Sequence, residues 1–310
     1  MPSIARVDPA SFDRDGDGPA GVVRLVDRAC READGAAQLN EQAVLQLKRR
    51  GLDGAELWVS TGSTTGADST TGAGSATGAG FALRHGDLLD LAVHPDARGQ
   101  GVGAALAAAA LDGMARVEAW SHADHPAAAR LAARWGIPRA RELRIMELPA
   151  GVSLSSVEAP DGVTVRGFRP GDEEAVLAVN ATAFAHHPEQ GQMSLGDLRD
   201  RMAEDWFDPA GLLLAVDGDG ALLGFHWTKE HRDGAEPFGE VYVVAVNPKA
   251  AGRGLGTLLT NAGLQHLRGR GLGTVILYVE ADNAPAIAVY ERQGFRLVRA
   301  EVQYRGPLER

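Results

Sequence analysis

EVYVVAVNPKAAGRGLGT, from Glu240 to Thr257, runs an apolar strand through a proline into a glycine-rich loop and on into a helix. DLLDLAVHPDARGQGVGA, from Asp87 to Ala104, repeats that plan without a gap. A third block extends the match: HPAAARLAARWGI (His125–Ile137) answers NAPAIAVYERQGF (Asn283–Phe295), in the same order along the chain. One short glycine pattern is weak evidence, but three blocks in one order mark an internal duplication. The 310-residue length fits two domains, read as 1–150 and 151–310.

The loop itself has a physical meaning. Glycines let a backbone approach a ligand closely, and the helix that follows aims unpaired amide N–H groups at an anion such as a pyrophosphate. A nucleotide-hydrolase loop would need Lys then Ser or Thr after the last glycine, whereas Ala104 and Thr257 stand there. A dinucleotide fold would need the loop after the first strand of a parallel unit, which is not the context of either copy.

The second copy is the easier to segment. Val163–Arg166 reads as an opening strand, and Pro170, Gly171 and Asp172 introduce a helix through about Ala181. Leu212–Val216 and Leu222–Lys229 flank a DGDG turn as a hairpin, and Glu240–Val246 is a further strand. Leu255, Leu258, Leu259, Ala262 and Leu267 keep a helical stripe; Val275–Val279 is a buried strand, and Ala284–Gln293 a short helix stopped by Gly294. The order predicts a mixed α/β (α+β) fold, a largely antiparallel sheet with flanking helices, made twice. Pro149–Asp161 reads as the linker, and the small polar residues of Ser60–Gly80 as a disordered tip between two strands.

Composition narrows the partners. A net charge of −10 disfavours nucleic acid and anionic membranes, and no apolar run approaches the length of a membrane span. Cys30 is the only cysteine, so an intrachain disulfide and a multi-cysteine metal site are both excluded. No secretory leader is legible at the N-terminus, so the cytoplasm and a monomer are the default expectations.

The residues around the loop now resemble a known family. R/Q-x-x-G-x-G after an apolar strand, then N-x-x-A-x-x-x-Y-x-x-x-G-F, is similar to the signature of the GCN5-related N-acetyltransferases, which bind acetyl-CoA. The resemblance implies that Val244, Ala245 and Val246 pair with the pantetheine arm. Ala251, Gly252, Arg253, Gly254, Leu255, Gly256 and Thr257 would hold the pyrophosphate, and Asn283, Ala284, Pro285, Ala286, Ile287 and Ala288 would lie beside the thiol. In the first copy the same places fall on Leu91, Ala92, Val93, Gly99, Gln100, Gly101, Val102, Gly103 and Ala104, for a second CoA. Ala251 departs from the family's Gln or Arg, a small loss because backbone amides do most of the holding.

Acyl transfer to an amine needs a base for the ammonium proton and an acid for the departing thiolate. Glu240 starts the cofactor strand, and strict alternation puts it on one face with Tyr242, Val244 and Val246, as base directly or through water. Tyr290 has the position of the family's thiolate-protonating tyrosine. It aligns with Ala132, and Asn283 with His125, so the first copy lacks the acid while Asp87 stands opposite Glu240. The expectation is a catalytic second domain and a degenerate first one.

FAHHPEQG (Phe184–Gly191), EDWFDPAG (Glu204–Gly211), GFHWTK (Gly224–Lys229) and LYVEADN (Leu277–Asn283) resemble one tandem-domain branch of that family. This implies as substrate the cysteinyl amine of Cys-GlcN-Ins, a small pseudodisaccharide, with Glu41, Glu189, Lys229, Glu240 and Tyr278 in its pocket. Another amine, or a non-catalytic acyl-CoA sensor, are the alternatives. His186, His187 and Glu189 lack metal-site spacing, so no metal is expected.

Overall fold

The computed structural model describes residues 2–61, 78–185, 190–232 and 236–308. The chain begins with β1 (Ser3–Arg6), α1 (Pro19–Asp34), α2 (Glu41–Leu45), β2 (Glu56–Thr61), β3 (Gly80–His85) and β4 (Leu88–Val93). α3 (Val102–Leu111), β5 (Arg116–Ser121), α4 (Pro126–Arg134) and β6 (Arg139–Leu148) follow. Next come β7 (Thr164–Gly167), α5 (Glu173–Ala183), α6 (Leu195–Met202), β8 (Leu212–Val216), β9 (Leu222–His231) and β10 (Phe238–Val246). α7 (Leu255–Gly269), β11 (Val275–Glu280), α8 (Ala284–Arg292) and β12 (Arg296–Pro307) complete the order.

Two compact units result, one made of Met1–Leu143 with Ala300–Arg310 and the other of Arg144–Arg299. In the first, the strands run β1-β2-β3-β4-β5-β12; in the second, β6-β11-β10-β9-β8-β7. Most neighbours are antiparallel, with parallel pairs at β4–β5 and β10–β11, as a mixed α/β fold requires.

The division differs from a cut at 150/151. β12 pairs with β5 from Val302↔Ser121 to Pro307↔Arg116, so the last strand of the chain finishes the sheet of the first unit. A sequence repeat reveals which strands exist, not which sheet each one joins. The Pro149–Asp161 segment has no regular structure, yet it is pinned within the second unit. Asn261 Nδ2 donates to Ser155 O at 2.5 Å, Arg268 donates to the carbonyls of Pro149 and Ala150, and Val152, Leu154 and Val157 pack on buried side chains. Those three branched residues explain why a stretch of linker-like composition is held down. Most of the small-residue stretch at 60–80 lies outside the described residues.

Each sheet carries apolar side chains on both faces. In the second unit, Val241, Leu264, Leu267, Val275 and Leu277 form the α7 side, and Val176, Leu198, Phe225, Trp227 and Val243 the α5/α6 side. Each fully buried leucine contributes roughly 1.5–3 kcal/mol. α7 comes close to β9 because Gly263 has no Cβ, which would otherwise meet the ring of buried His226 at 2.0 Å. Burial holds that imidazole neutral, its pKa pushed down to about 4.

Candidate active site

The two glycine loops have the same backbone. Gly99 and Gly101 take φ of 75° and 83°, Gly252 and Gly254 of 81° and 74°, a left-handed region where a Cβ is strained. Gly101 and Gly254 are the N-caps of α3 and α7 and bring no capping side chain, so first-turn amides face outward as an anion cradle. That geometry fits the pyrophosphate end of acetyl-CoA in both units.

The strand before each loop offers open rungs. The parallel ladder of β10 and β11 runs from Gly239↔Val275 to Val241↔Leu277 and stops, although both strands continue. Asn247 N–H bonds back to Leu223 O at 2.8 Å, so by alternation Val246 turns its own N–H and C=O toward the β11 side. An extended arm could pair there, as the resemblance implies. In the first unit the parallel pairing is Leu88↔Glu118, and Val93 faces the corresponding gap. Its carbonyl is already taken, by Arg98 Nε at 3.2 Å and Cys30 Sγ at 3.4 Å. Arg98 is fixed in turn by Asp34, at 2.6 and 2.8 Å, and its guanidinium holds that carboxyl below the usual carboxylate range.

Glu240 does not share a face with Val244 and Val246. Val241 pairs with Thr228 and Val243 with Trp227, so a β-bulge at Tyr242 shifts the alternation. Tyr242, Val243 and Ala245 pack on the α5/α6 side, while Val241, Val244 and Val246 lie on the α7 side. Strict period-2 reading cannot foresee an extra residue. The bulge leaves Glu240 on the α5/α6 face, buried, its Oε2 2.6 Å from His231 Nε2. His231 was not among the sequence candidates; its signal would have been its place directly opposite Phe238, where the two rings stack at 4.4 Å and 12°.

Three of the expected substrate residues gather on that face. Lys229 is directly across from Glu240, its Nζ 4.7 Å from the Trp206 ring centre and 5.1 Å from that of Tyr242. Ile276 is the parallel partner of Glu240, which puts Tyr278, two residues on and exposed, on the same side. Arg201 donates to Tyr242 Oη at 2.8 Å and steadies this aromatic wall. Glu189 lies outside the described residues. Glu41 opens α2 of the first unit, behind the N-cap Asn40.

Tyr290 sits on α8, partly buried, edge-on to Phe295 at 5.8 Å; burial raises its pKa and so keeps the hydroxyl protonated. Asn283 caps α8 by accepting from Ala286 N at 3.2 Å, and His125 caps α4 in the same manner. Ala132, in the place of Tyr290, is buried against Val302 and Tyr304.

The first unit also departs from the alignment at its carboxylate. β4 has no bulge, and Asp87 is exposed in the β3–β4 turn. Its spatial counterpart to the Glu240–Lys229 pair is Leu88 opposite His85. A cavity lined by Asn40, Gln46, Leu83, His85, Leu88 and Asp90 opens on that side. Burial pushes the Asp90 carboxyl up to about 7, against a smaller pull from His122.

Asp208, Glu230 and His266 approach within 4.8 Å of one another, the one such cluster among the described residues. Both oxygens of Glu230 are engaged by Arg232 (2.6 Å) and Arg270 (2.7 Å), cations that compete with a metal.

The profile of the acetyltransferase (GNAT) family matches residues 26–137 and 180–295. A mycothiol acetyltransferase of Nocardioides sp. is 51% identical, over 92% of this chain and 96% of its own. One of Catenulispora acidiphila is 45% identical, over 94% and 96%. Among solved structures, a tandem GNAT protein from the clavulanic acid biosynthesis pathway aligns with TM-score 0.69 at 20% identity, covering 99% of each chain. A GCN5-related N-acetyltransferase from Sphaerobacter thermophilus gives 0.67 at 24%, over 99% and 96%.

Proposed function

The chain belongs to the GNAT acetyltransferases and, within them, to the mycothiol acetyltransferases, and from that premise we propose that it moves acetyl from acetyl-CoA to the cysteinyl amine of Cys-GlcN-Ins, the last step of mycothiol biosynthesis. One observation carries the assignment of chemistry to the second unit. There, a buried carboxylate, Glu240, lies on the strand with the open rungs and on one face with Lys229 and Tyr278.

The residues divide the work by their chemistry. Glu240 takes a proton from the ammonium, directly or through water, so that the amine can attack the thioester carbonyl. The residue that the bulge leaves out of the ladder offers a backbone N–H to polarise that carbonyl. The C–S bond breaks, and Tyr290, kept protonated by burial, gives its proton to the departing sulfur. Lys229, Tyr278 and Glu189 bind the hydroxyl-rich acceptor, with Val244–Val246, the loop 251–257 and the segment 283–288 around acetyl-CoA. The first unit holds a second CoA on the loop 99–104 beside Leu91–Val93, without chemistry, since Ala132 has no proton to give. The enzyme acts as a cytoplasmic monomer and needs no metal; no helix among the described residues is long and apolar enough to cross a membrane.

Purified protein given acetyl-CoA and Cys-GlcN-Ins should release free CoA and acetylated product together. Turnover of other amines only would replace the substrate; tight CoA binding with no turnover would make the chain a sensor.

A further inference from the structure

The reaction leaves one proton over. An ammonium and a thioester become an amide, a thiol and H⁺, and the thiol takes only one of the two protons the nitrogen must lose. Something has to carry the other away from Glu240, whose side chain is 9% exposed. His231, 24% exposed, is hydrogen-bonded to Glu240 Oε2 through Nε2 at 2.6 Å. Its ring plane is fixed by stacking on Phe238 at 4.4 Å.

The charged neighbours are otherwise occupied. Glu230 and Arg232 flank His231 in sequence and pair with each other. Lys229 lies over the Trp206 and Tyr242 rings, and Arg201 donates to the Tyr242 hydroxyl. β11 adds Tyr278 and Glu280 to the face, and α5 packs with Val176 and Val179 while its Glu173 and Glu174 stay in its first turn.

We propose that His231 is the proton outlet of the active site, relaying to solvent the proton that Glu240 removes from the amine. The inference rests on Glu240 being the base. The N–H bond of the ammonium breaks as an O–H bond forms on Glu240; that O–H breaks as Nε2–H forms on His231; Nδ1–H then releases its proton to water. Imidazole suits the step because its two nitrogens accept on one side and donate on the other. The ring starts with its hydrogen on Nδ1, so the Oε2–Nε2 hydrogen bond is the one that protonated Glu240 donates, and this tautomer returns through solvent.

The test is steady-state kinetics of the full chain with Cys-GlcN-Ins and with cysteine amide. His231→Gln keeps a hydrogen-bonding group beside Glu240 but cannot relay, and should lower kcat about tenfold while both KM values stay within about twofold. His231→Ala should lose as much and recover several-fold when imidazole is added, with the wild type unaffected. Wild-type kcat in His231→Gln, a loss confined to the amine KM, or no response of His231→Ala to imidazole would overturn the relay. Absence of wild-type turnover with both amines would instead overturn the reading of the site, and the relay with it.

Discussion

The two units share a loop and differ in nearly everything the loop serves. Paired φ values agree within 9° and both helix starts lack a side-chain cap, so the anion cradle is common property. Beside it, Val93 has its gap-facing carbonyl filled by Arg98 and Cys30, where Val246 faces an open rung. On the α5/α6 face, a bulge and a part-buried Glu240–His231 pair in one unit correspond to a regular strand with Leu88 and His85 in the other. A duplicated backbone can thus keep its loop geometry while one inserted residue decides which face of the sheet a carboxylate takes.

The largest test of that asymmetry is Glu240→Gln, which should reduce kcat by roughly 10³-fold with acetyl-CoA affinity unchanged. Asp87→Asn should leave turnover as it is, and a comparable loss from Asp87 would erase the distinction between the units. Tyr290→Phe comes next, at about 10²-fold in the chemical step, read by single-turnover kinetics against CoA binding by calorimetry. A large affinity loss with normal turnover would remove Tyr290 from the acid role.

Stability separates the units further. Arg98→Ala strands the Asp34 carboxylate and should cost about 2 kcal/mol in urea unfolding, yet leave kcat intact. Gly101→Ala and Gly254→Ala force a Cβ into the left-handed region and should each cost about 1 kcal/mol. Only Gly254→Ala should also raise the acetyl-CoA KM of turnover, by a few-fold. A comparable effect, present only at high pH, belongs to Asp90. Its folded pKa, near 7, lies above the free value of about 3.9, so the fold keeps a proton the unfolded chain has released. Stability therefore falls as pH rises from about 4 to 7. Asp90→Asn should flatten that slope and be about 1 kcal/mol more stable than wild type at pH 8, a figure reduced because the group is partly exposed.

Much of this was legible in the residues themselves. Leu212–Val216 is a strand with the expected ends, and Ala284–Arg292 falls one residue short of the helix read to Gln293, because apolar period and glycine punctuation are local signals. Glu240 and Tyr290 stood out by resemblance, and Lys229 and Tyr278 share the face that Glu240 adopts. What stayed hidden is non-local. The bulge depends on how β9 matches β10, the capture of Val93 by Arg98 depends on α1 reaching the loop, and His231 matters only once it lies beside Glu240.

The pairing of β12 with β5 has a consequence for how the protein is made. On the ribosome the first hundred and more residues emerge long before Ala300–Arg310, so the nascent first unit must wait with the Arg116–Ser121 edge uncovered until synthesis is nearly over. A stop codon late in the message, which would spare every residue of the proposed active site, would still release a chain whose first unit has no strand to cover Arg116–Ser121.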